Sequence, residues 1–225
     1  MSSRQPAASI RAFQLSTTVR GHYLVESSGS DDERLPLLVG FHGYAETAAV
    51  HLEALRRIPG IEGWRRCAVQ GLHSFYRGKT GEVAASWMTR FNREQAIEDN
   101  VRYVAAVIER VGEDYPTREP LAYAGFSQGV AMAYRAAAAG GRSCHALLAL
   151  GGDVPPELAE RDLTGFPRVL IGRGTTDPWY SEEKLAADVA LLRSRGVSVE
   201  VCAFDGGHEW SDAFYRASAD LLSSL

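Results

Sequence analysis

The chain has 225 residues, 45% of them hydrophobic and 23% charged. That apolar content supports a sizeable core and excludes a disordered chain. With 24 Lys and Arg against 28 Asp and Glu, the net charge is −4, which argues against nucleic acid as the main partner, because such binding runs on an excess of positive charge.

No stretch reaches the ~18 consecutive apolar residues of a membrane span. The opening MSSRQPAAS is not followed by the apolar block of a secretory signal. The expectation is a soluble, cytoplasmic protein forming one domain over residues 1–225. Along the first 26 residues, Ala12-Phe-Gln-Leu and His22-Tyr-Leu-Val suit an antiparallel edge hairpin, and the polar stretch Glu26–Arg34 reads as a surface loop. Short apolar runs then recur at Leu37–Phe41, Cys67–Val69, Leu121–Gly125, Ala146–Leu150, Arg168–Ile171 and Val197–Phe204. Between most of them lie helical patterns: Thr47–Ile58, a face of Ile97, Val101, Val104, Ile108 and Val111, then Gln128–Ala139, Glu182–Arg195 and Ser211–Leu222. Continuous apolar runs are what strands covered on both faces look like. Their alternation with helices predicts an α/β fold with a mostly parallel central sheet. Cys67, Cys144 and Cys202 each sit among apolar neighbours and read as reduced, buried thiols.

Gly125-Phe126-Ser127-Gln128-Gly129 fits G-x-S-x-G between a predicted strand and a predicted helix, the context that motif requires. The glycines let the chain cross itself at an abrupt turn that exposes the Ser127 hydroxyl as a nucleophile. The competing reading makes Ser127 a helix cap. A serine nucleophile needs a base, and in this architecture acid and base follow it in that order. Only His145 and His208 come later. His145 opens a strand, at the wrong end for the site. His208, in Asp205-Gly-Gly-His-Glu-Trp, follows a strand and lies beyond its carboxyl end, where such sheets bind ligands. Asp177 follows Arg168-Val-Leu-Ile-Gly-Arg-Gly-Thr-Thr in the same way and precedes Pro178, so it ranks first for the carboxylate that orients His208. Asp153 and Asp205 are the competitors. Two backbone N–H groups must receive the oxyanion. Gln128 supplies one; Tyr44, after His42-Gly43, supplies the other. His42 itself reads as a brace for that loop.

These blocks, from about Leu37 to Trp210, resemble the α/β-hydrolase superfamily, and within it the small phospholipase/carboxylesterase group that includes acyl-protein thioesterases. The most specific match is Gly125-Phe-Ser-Gln-Gly129 followed by Ala131-Met132-Ala133. The resemblance implies the α/β-hydrolase fold, with Ser127, Asp177 and His208 as triad and Tyr44 and Gln128 as oxyanion donors. The chain departs from the pattern at Ala45 and Val130, where glycines are usual, and at Trp179-Tyr180; these changes bear on the substrate pocket.

Between two predicted strands, Val154–Phe166 has only 13 residues, too few for a cap domain. An open site follows. The segment Leu72–Gln95 is expected to be irregular and aromatic-rich, so Phe75, Trp87 and Met88, with Trp179 and Trp210, are the candidate substrate-lining residues. Arg77, Lys79, Arg90 and Arg93 have two readings, contacts for an anionic head group or solvated surface charges, of which the second ranks first. The expected activity is cleavage of a small-molecule ester, thioester or lysophospholipid-like substrate through an acyl-enzyme. Acyl transfer by the same residues and ligand binding without catalysis are the competing functions. No cluster has metal-ligand spacing and no glycine motif fits a nucleotide fingerprint, so neither metal nor cofactor is expected.

Overall fold

The structure, a computed structural model, describes residues 10–225. Its centre is a seven-stranded sheet. In chain order the strands are β1 (Tyr23–Glu26), β2 (Leu35–Phe41), β3 (Arg65–Val69), β6 (Thr117–Phe126), β7 (Ala146–Leu150), β8 (Arg168–Gly174) and β9 (Val199–Phe204), with a separate hairpin of β4 (His73–Tyr76) and β5 (Val83–Ser86) between β3 and β6. The sheet order is β1-β3-β2-β6-β7-β8-β9. Only β1 runs antiparallel, in register Tyr23 with Val69 through Glu26 with Arg66; the other pairs are parallel.

Residues alternate between the two faces of each strand, and each face has its own core. Leu37, Val39, Phe41, Tyr123, Leu147 and Ile171 pack on one side, under α2 (Arg93–Asp114), α3 (Gln128–Ala138) and α4 (Glu182–Ser194). Leu38, Ala122, Ala124, Leu148 and Leu170 pack on the other, under α1 (Ala48–Arg56) and α5 (Asp212–Ser223). Coverage of both faces is why the central strands read as unbroken apolar runs. Side-chain caps start three of these helices: Thr47 accepts from Val50 N–H at 3.3 Å, Ser181 from Lys184 at 3.4 Å and Ser211 from Phe214 at 3.2 Å. Each such cap is worth about 1 kcal/mol.

Three expectations need correction. The N-terminal hairpin does not form: Ala12–Leu15 has no strand partner, and Phe13 and Leu15 are exposed. The strand that does form, β1, adds to β3 instead, where its backbone groups gain a full ladder. The segment expected to be irregular contains the β4–β5 hairpin, turned through Gly78 and Gly81, both at positive φ. The buried face of α2 is rotated from the apolar pattern, with Ala96, Asn100, Val104, Val107, Ile108 and Val111 inside and Ile97 and Val101 at the margin. Asn100 is tolerated there because its amide donates to the carbonyls of Trp87 (2.7 Å) and Ala96 (2.8 Å).

The connection Val154–Phe166 holds one short 3-10 turn, Pro156–Glu160, and tucks Leu158 and Leu163 into the core. Cys67, Cys144 and Cys202 are free thiols; the first two are buried and Cys202 half-buried. Among the described residues, no helix is long and apolar enough to cross a membrane.

Candidate active site

The candidate triad and oxyanion loop follow the carboxyl ends of parallel strands: His42-Gly43-Tyr44 after β2, Ser127 after β6, Asp177 after β8 and His208 after β9. Ser127 sits at φ +52° and ψ −120°, a conformation that costs a non-glycine residue about 1–3 kcal/mol and persists only where the surroundings enforce it. Here they do. A Cβ on Gly125 would fall 2.6 Å from Gly129 O, and one on Gly129 would fall 2.0 Å from Phe41 O. The Ser127 N–H donates to Leu150 O at 2.8 Å, tying the turn to β7. Although Ser127 occupies the N-cap position of α3, its side chain makes no capping bond. The cap reading is therefore excluded.

Asp177 is buried. Its Oδ1 accepts from the N–H groups of Trp179 (2.8 Å) and Tyr180 (3.0 Å), and its Oδ2 lies 2.7 Å from His208 Nδ1. Burial alone would raise its pKa, but the Tyr180 N–H, the His208 ring and the Trp179 N–H outweigh that and hold it below the usual carboxylate value. An ionised carboxylate can only accept, so Nδ1 of His208 donates to it, and in the neutral ring that tautomer leaves the lone pair on Nε2. The acid-bearing loop is braced by Arg173, whose Nε donates to Tyr180 O at 2.9 Å. Close backbone contact joins it to the His208 loop: a Cβ on Gly174 would lie 2.1 Å from Gly207 O.

Gly151 and Gly152, just beyond β7, connect these parts. A Cβ at Gly151 would lie 3.0 Å from His208 Cε1 and 3.3 Å from Asp177 Oδ2, and one at Gly152 would lie 2.4 Å from Ser127 O. Phe126 packs on the His208 ring with centroids 4.9 Å apart. Ser127 on one side and the His208–Asp177 pair on the other therefore flank the same two glycines, with no hydrogen bond between Ser127 and His208 among the described residues. Of the competing acids, Asp153 pairs with Lys184 Nζ at 3.2 Å and Asp205 is exposed. His145 stands at the opposite end of the sheet, its Nδ1 accepting from Leu121 N–H.

Among the described residues, the N–H groups of Tyr44 and Gln128 have no protein acceptor. The loop that carries Tyr44 is heavily restrained. His42 is buried; its Nδ1 contacts Gly43 O at 2.7 Å and its Nε2 accepts from Gly71 N–H at 2.9 Å. Glu46 accepts from Gly43 N–H at 2.7 Å. Burial raises the Glu46 pKa, against the opposing effects of the Gly43 N–H, His208 and Arg77. Ala45 takes φ +61° and its N–H donates to Ala85 O of the hairpin (3.0 Å), while Ala85 N–H donates back to Glu46 O (2.9 Å). The Gln128 amide clamps the far end of that hairpin, accepting from Trp87 N–H (2.9 Å) and donating to Met88 O (3.0 Å).

A cavity of about 350 Å³ opens beside Ser127 and Gln128, walled by Ala131, Arg135, Gly152, Asp153, Trp179 and Lys184 among others. A larger one of about 420 Å³, in the α2–α3 groove by Tyr123 and Arg142, contains none of the candidate site residues. Of the aromatic lining candidates only Trp179, 72% exposed, borders the site cavity. Trp87 does not line it: it is fully buried and its indole donates to His42 O at 2.8 Å. Trp210 packs on Tyr215 and Phe126 beneath the sheet edge. Phe75 stacks on Tyr44, centroids 5.5 Å apart. Met88 places its sulfur 4.0 Å from Arg135 Nη1, at the cavity's flank. Sequence reasoning missed Arg135. Its signal was the four-residue spacing of Ser127, Ala131 and Arg135, which puts them on one face of α3.

No protein-family model matches this sequence, and no curated protein matches it by sequence. Solved structures do match by shape. A carboxylesterase from Mesorhizobium loti is similar with a TM-score of 0.74 at 19% identity, over 94% of this chain and 99% of that one. A carboxylesterase from Bacillus cereus gives 0.70 at 15% identity, over 91% and 94%. A phospholipase/carboxylesterase from Dyadobacter fermentans gives 0.67 at 17% identity, over 92% and 98%. The chain has the α/β-hydrolase fold.

Proposed function

We propose that the protein is a serine hydrolase of the phospholipase/carboxylesterase type, cleaving carboxylic esters or thioesters of small molecules through Ser127, His208 and Asp177. The observation that carries this reading is a strained, uncapped Ser127 across Gly151 and Gly152 from a histidine that a buried aspartate holds at 2.7 Å. The carboxylesterase names among the structural neighbours support the same reaction class.

In this reading Ser127 Oγ attacks the acyl carbon while His208 Nε2 takes its proton, and Asp177 stabilises the imidazolium. The tetrahedral oxyanion is received by the free N–H groups of Tyr44 and Gln128. The bond to the leaving oxygen or sulfur then breaks and that atom takes the proton from His208. Water repeats the sequence on the acyl-enzyme: it gives its proton to His208, its oxygen bonds the acyl carbon, and Ser127 leaves with the proton restored.

The test is turnover of p-nitrophenyl acetate by wild type and by Ser127→Ala. Loss of kcat by about 10³-fold or more supports the proposal; wild-type turnover by the variant overturns it.

A further inference from the structure

The cleft beside Ser127 is cationic, contrary to the aromatic acyl wall that the sequence suggested. Arg135 is 5% exposed. Its Nε donates to Glu157 at 2.6 Å, yet its Nη2 is buried with no hydrogen-bond partner. A buried charged donor left unmade costs more than an ordinary hydrogen bond contributes. Arg93 and Lys184 border the same cavity.

The charges in the wall do not cancel. Lys184 is matched by Asp153. Arg135 and Arg93 share one carboxylate, Glu157. Burial would raise the Glu157 pKa, but its bond to Arg135 and the nearby charge of Arg93 leave it below the ordinary value. Asp188, behind the wall on α4, is already engaged by Val154 N–H (3.0 Å) and the Tyr180 hydroxyl (2.9 Å). One positive charge is left over. Arg93 makes no ion pair among the described residues and opens α2, the end where the helix dipole disfavours a cation by about 0.3–1 kcal/mol. Helix stability does not explain its position.

We infer, building on the ester-hydrolase reading, that the cleft selects acyl groups ending in a carboxylate, that is, half-esters or half-thioesters of short dicarboxylic acids. The leaving group departs toward the imidazole that protonates it, and neither His208 nor Asp177 borders this cavity, so the cavity holds the acyl portion. Arg135 lies two turns of α3 beyond Ser127, ~12 Å along the axis, and its side chain leans back toward the N-terminus, which leaves the span of about four to six carbons. The terminal carboxylate lies against Arg135, which also borders a second cavity of about 300 Å³ beside Glu157 and Arg161, and balances Arg93, with Lys184 at the rim.

The experiment compares monomethyl glutarate with methyl pentanoate by pH-stat. The expected ratio of kcat/KM favours the anionic ester about tenfold or more, as one charge-assisted bond would give. Arg93→Gln and Lys184→Gln, both at the rim, are expected to lower that ratio by about tenfold, and added salt to raise KM for the anionic ester alone. Arg135→Met is expected to abolish the preference. If it does not fold, the double variant Arg135→Met/Glu157→Gln removes the buried pair together. A wild-type ratio at or below one, or a ratio that no cation variant moves, overturns the inference while hydrolysis of methyl pentanoate keeps the ester-hydrolase reading intact. Hydrolysis of neither ester, with no labelling by a fluorophosphonate, overturns both.

Discussion

Gly129→Ala probes the backbone contact that holds the Ser127 turn in place. The added Cβ would lie 2.0 Å from Phe41 O, 2.5 Å from Phe41 C and 2.6 Å from His42 O. All three are backbone atoms at the end of β2, so no side chain can swing aside. Ordinary contact begins at 3.4 Å, leaving a shortfall of 1.4 Å that α3 and β2 must open between them. Overpacking of this kind costs about 1–3 kcal/mol, a fall in Tm of roughly 2–12 °C for a chain of this size. The same displacement separates Gln128 N–H and Ser127 from the Tyr44 loop. A 1 Å misplacement of reacting groups can cost about 10²-fold. The variant is thus expected to remain folded at 25 °C with kcat/KM on p-nitrophenyl acetate down by about 10²-fold. Gly63→Ala, where an added Cβ meets nothing within 4 Å, serves as the control and is expected to change neither quantity. A Gly129→Ala protein with lowered Tm and wild-type kcat/KM would refute the link between this contact and the chemistry.

Asp177→Asn is expected to reduce kcat on the same neutral ester by about 10³- to 10⁴-fold, because an amide no longer fixes the His208 tautomer. Asp153→Asn, which touches only Lys184, should leave it near wild type, and the reverse ranking would move the acid to the end of β7. His51 gives a pH prediction. It lies fully buried on the inner face of α1, and burial, with the neighbouring His42, pushes its pKa down to about 3. The unfolded chain protonates it near 6.5. Between those values the unfolded state binds the extra proton, so stability is lost as pH falls, by at most about 1 kcal/mol per pH unit. His51→Gln keeps an N–H for Ala124 O without titrating, and urea unfolding across that range should show the slope reduced by this amount. Parallel wild-type and variant curves would contradict the assignment.

The parts legible in the sequence share a physical cause. Ala146–Leu150 and its neighbours are buried on both faces, so each strand announced itself as an apolar run, and the residue just past its end could be located by counting. That is why Ser127, Asp177 and His208 are legible as candidates in the sequence. The β4–β5 hairpin was not legible in this way. His73-Ser-Phe-Tyr76 faces solvent for most of its length, and its bonds to the Tyr44 loop are made by backbone atoms of Ala45, Glu46 and Ala85, which leave no trace in side-chain patterning. The cavity wall was misread for a different reason. Aromatic content does not reveal which side of a loop an indole takes, and Trp87 turned inward to His42 O. The charge balance around Arg135 depends on Glu157 from a separate loop and on Arg93 from another helix, a relation that spacing along one helix cannot express.

The central claim is that the Ser127 oxygen is an activated nucleophile. Incubation with a fluorophosphonate, followed by proteolysis and mass spectrometry, tests it most directly. The account predicts one stoichiometric adduct on the peptide containing Ser127, absent from Ser127→Ala and strongly slowed in His208→Ala. An unlabelled wild-type protein, or an adduct on any other residue that persists in Ser127→Ala, would contradict it.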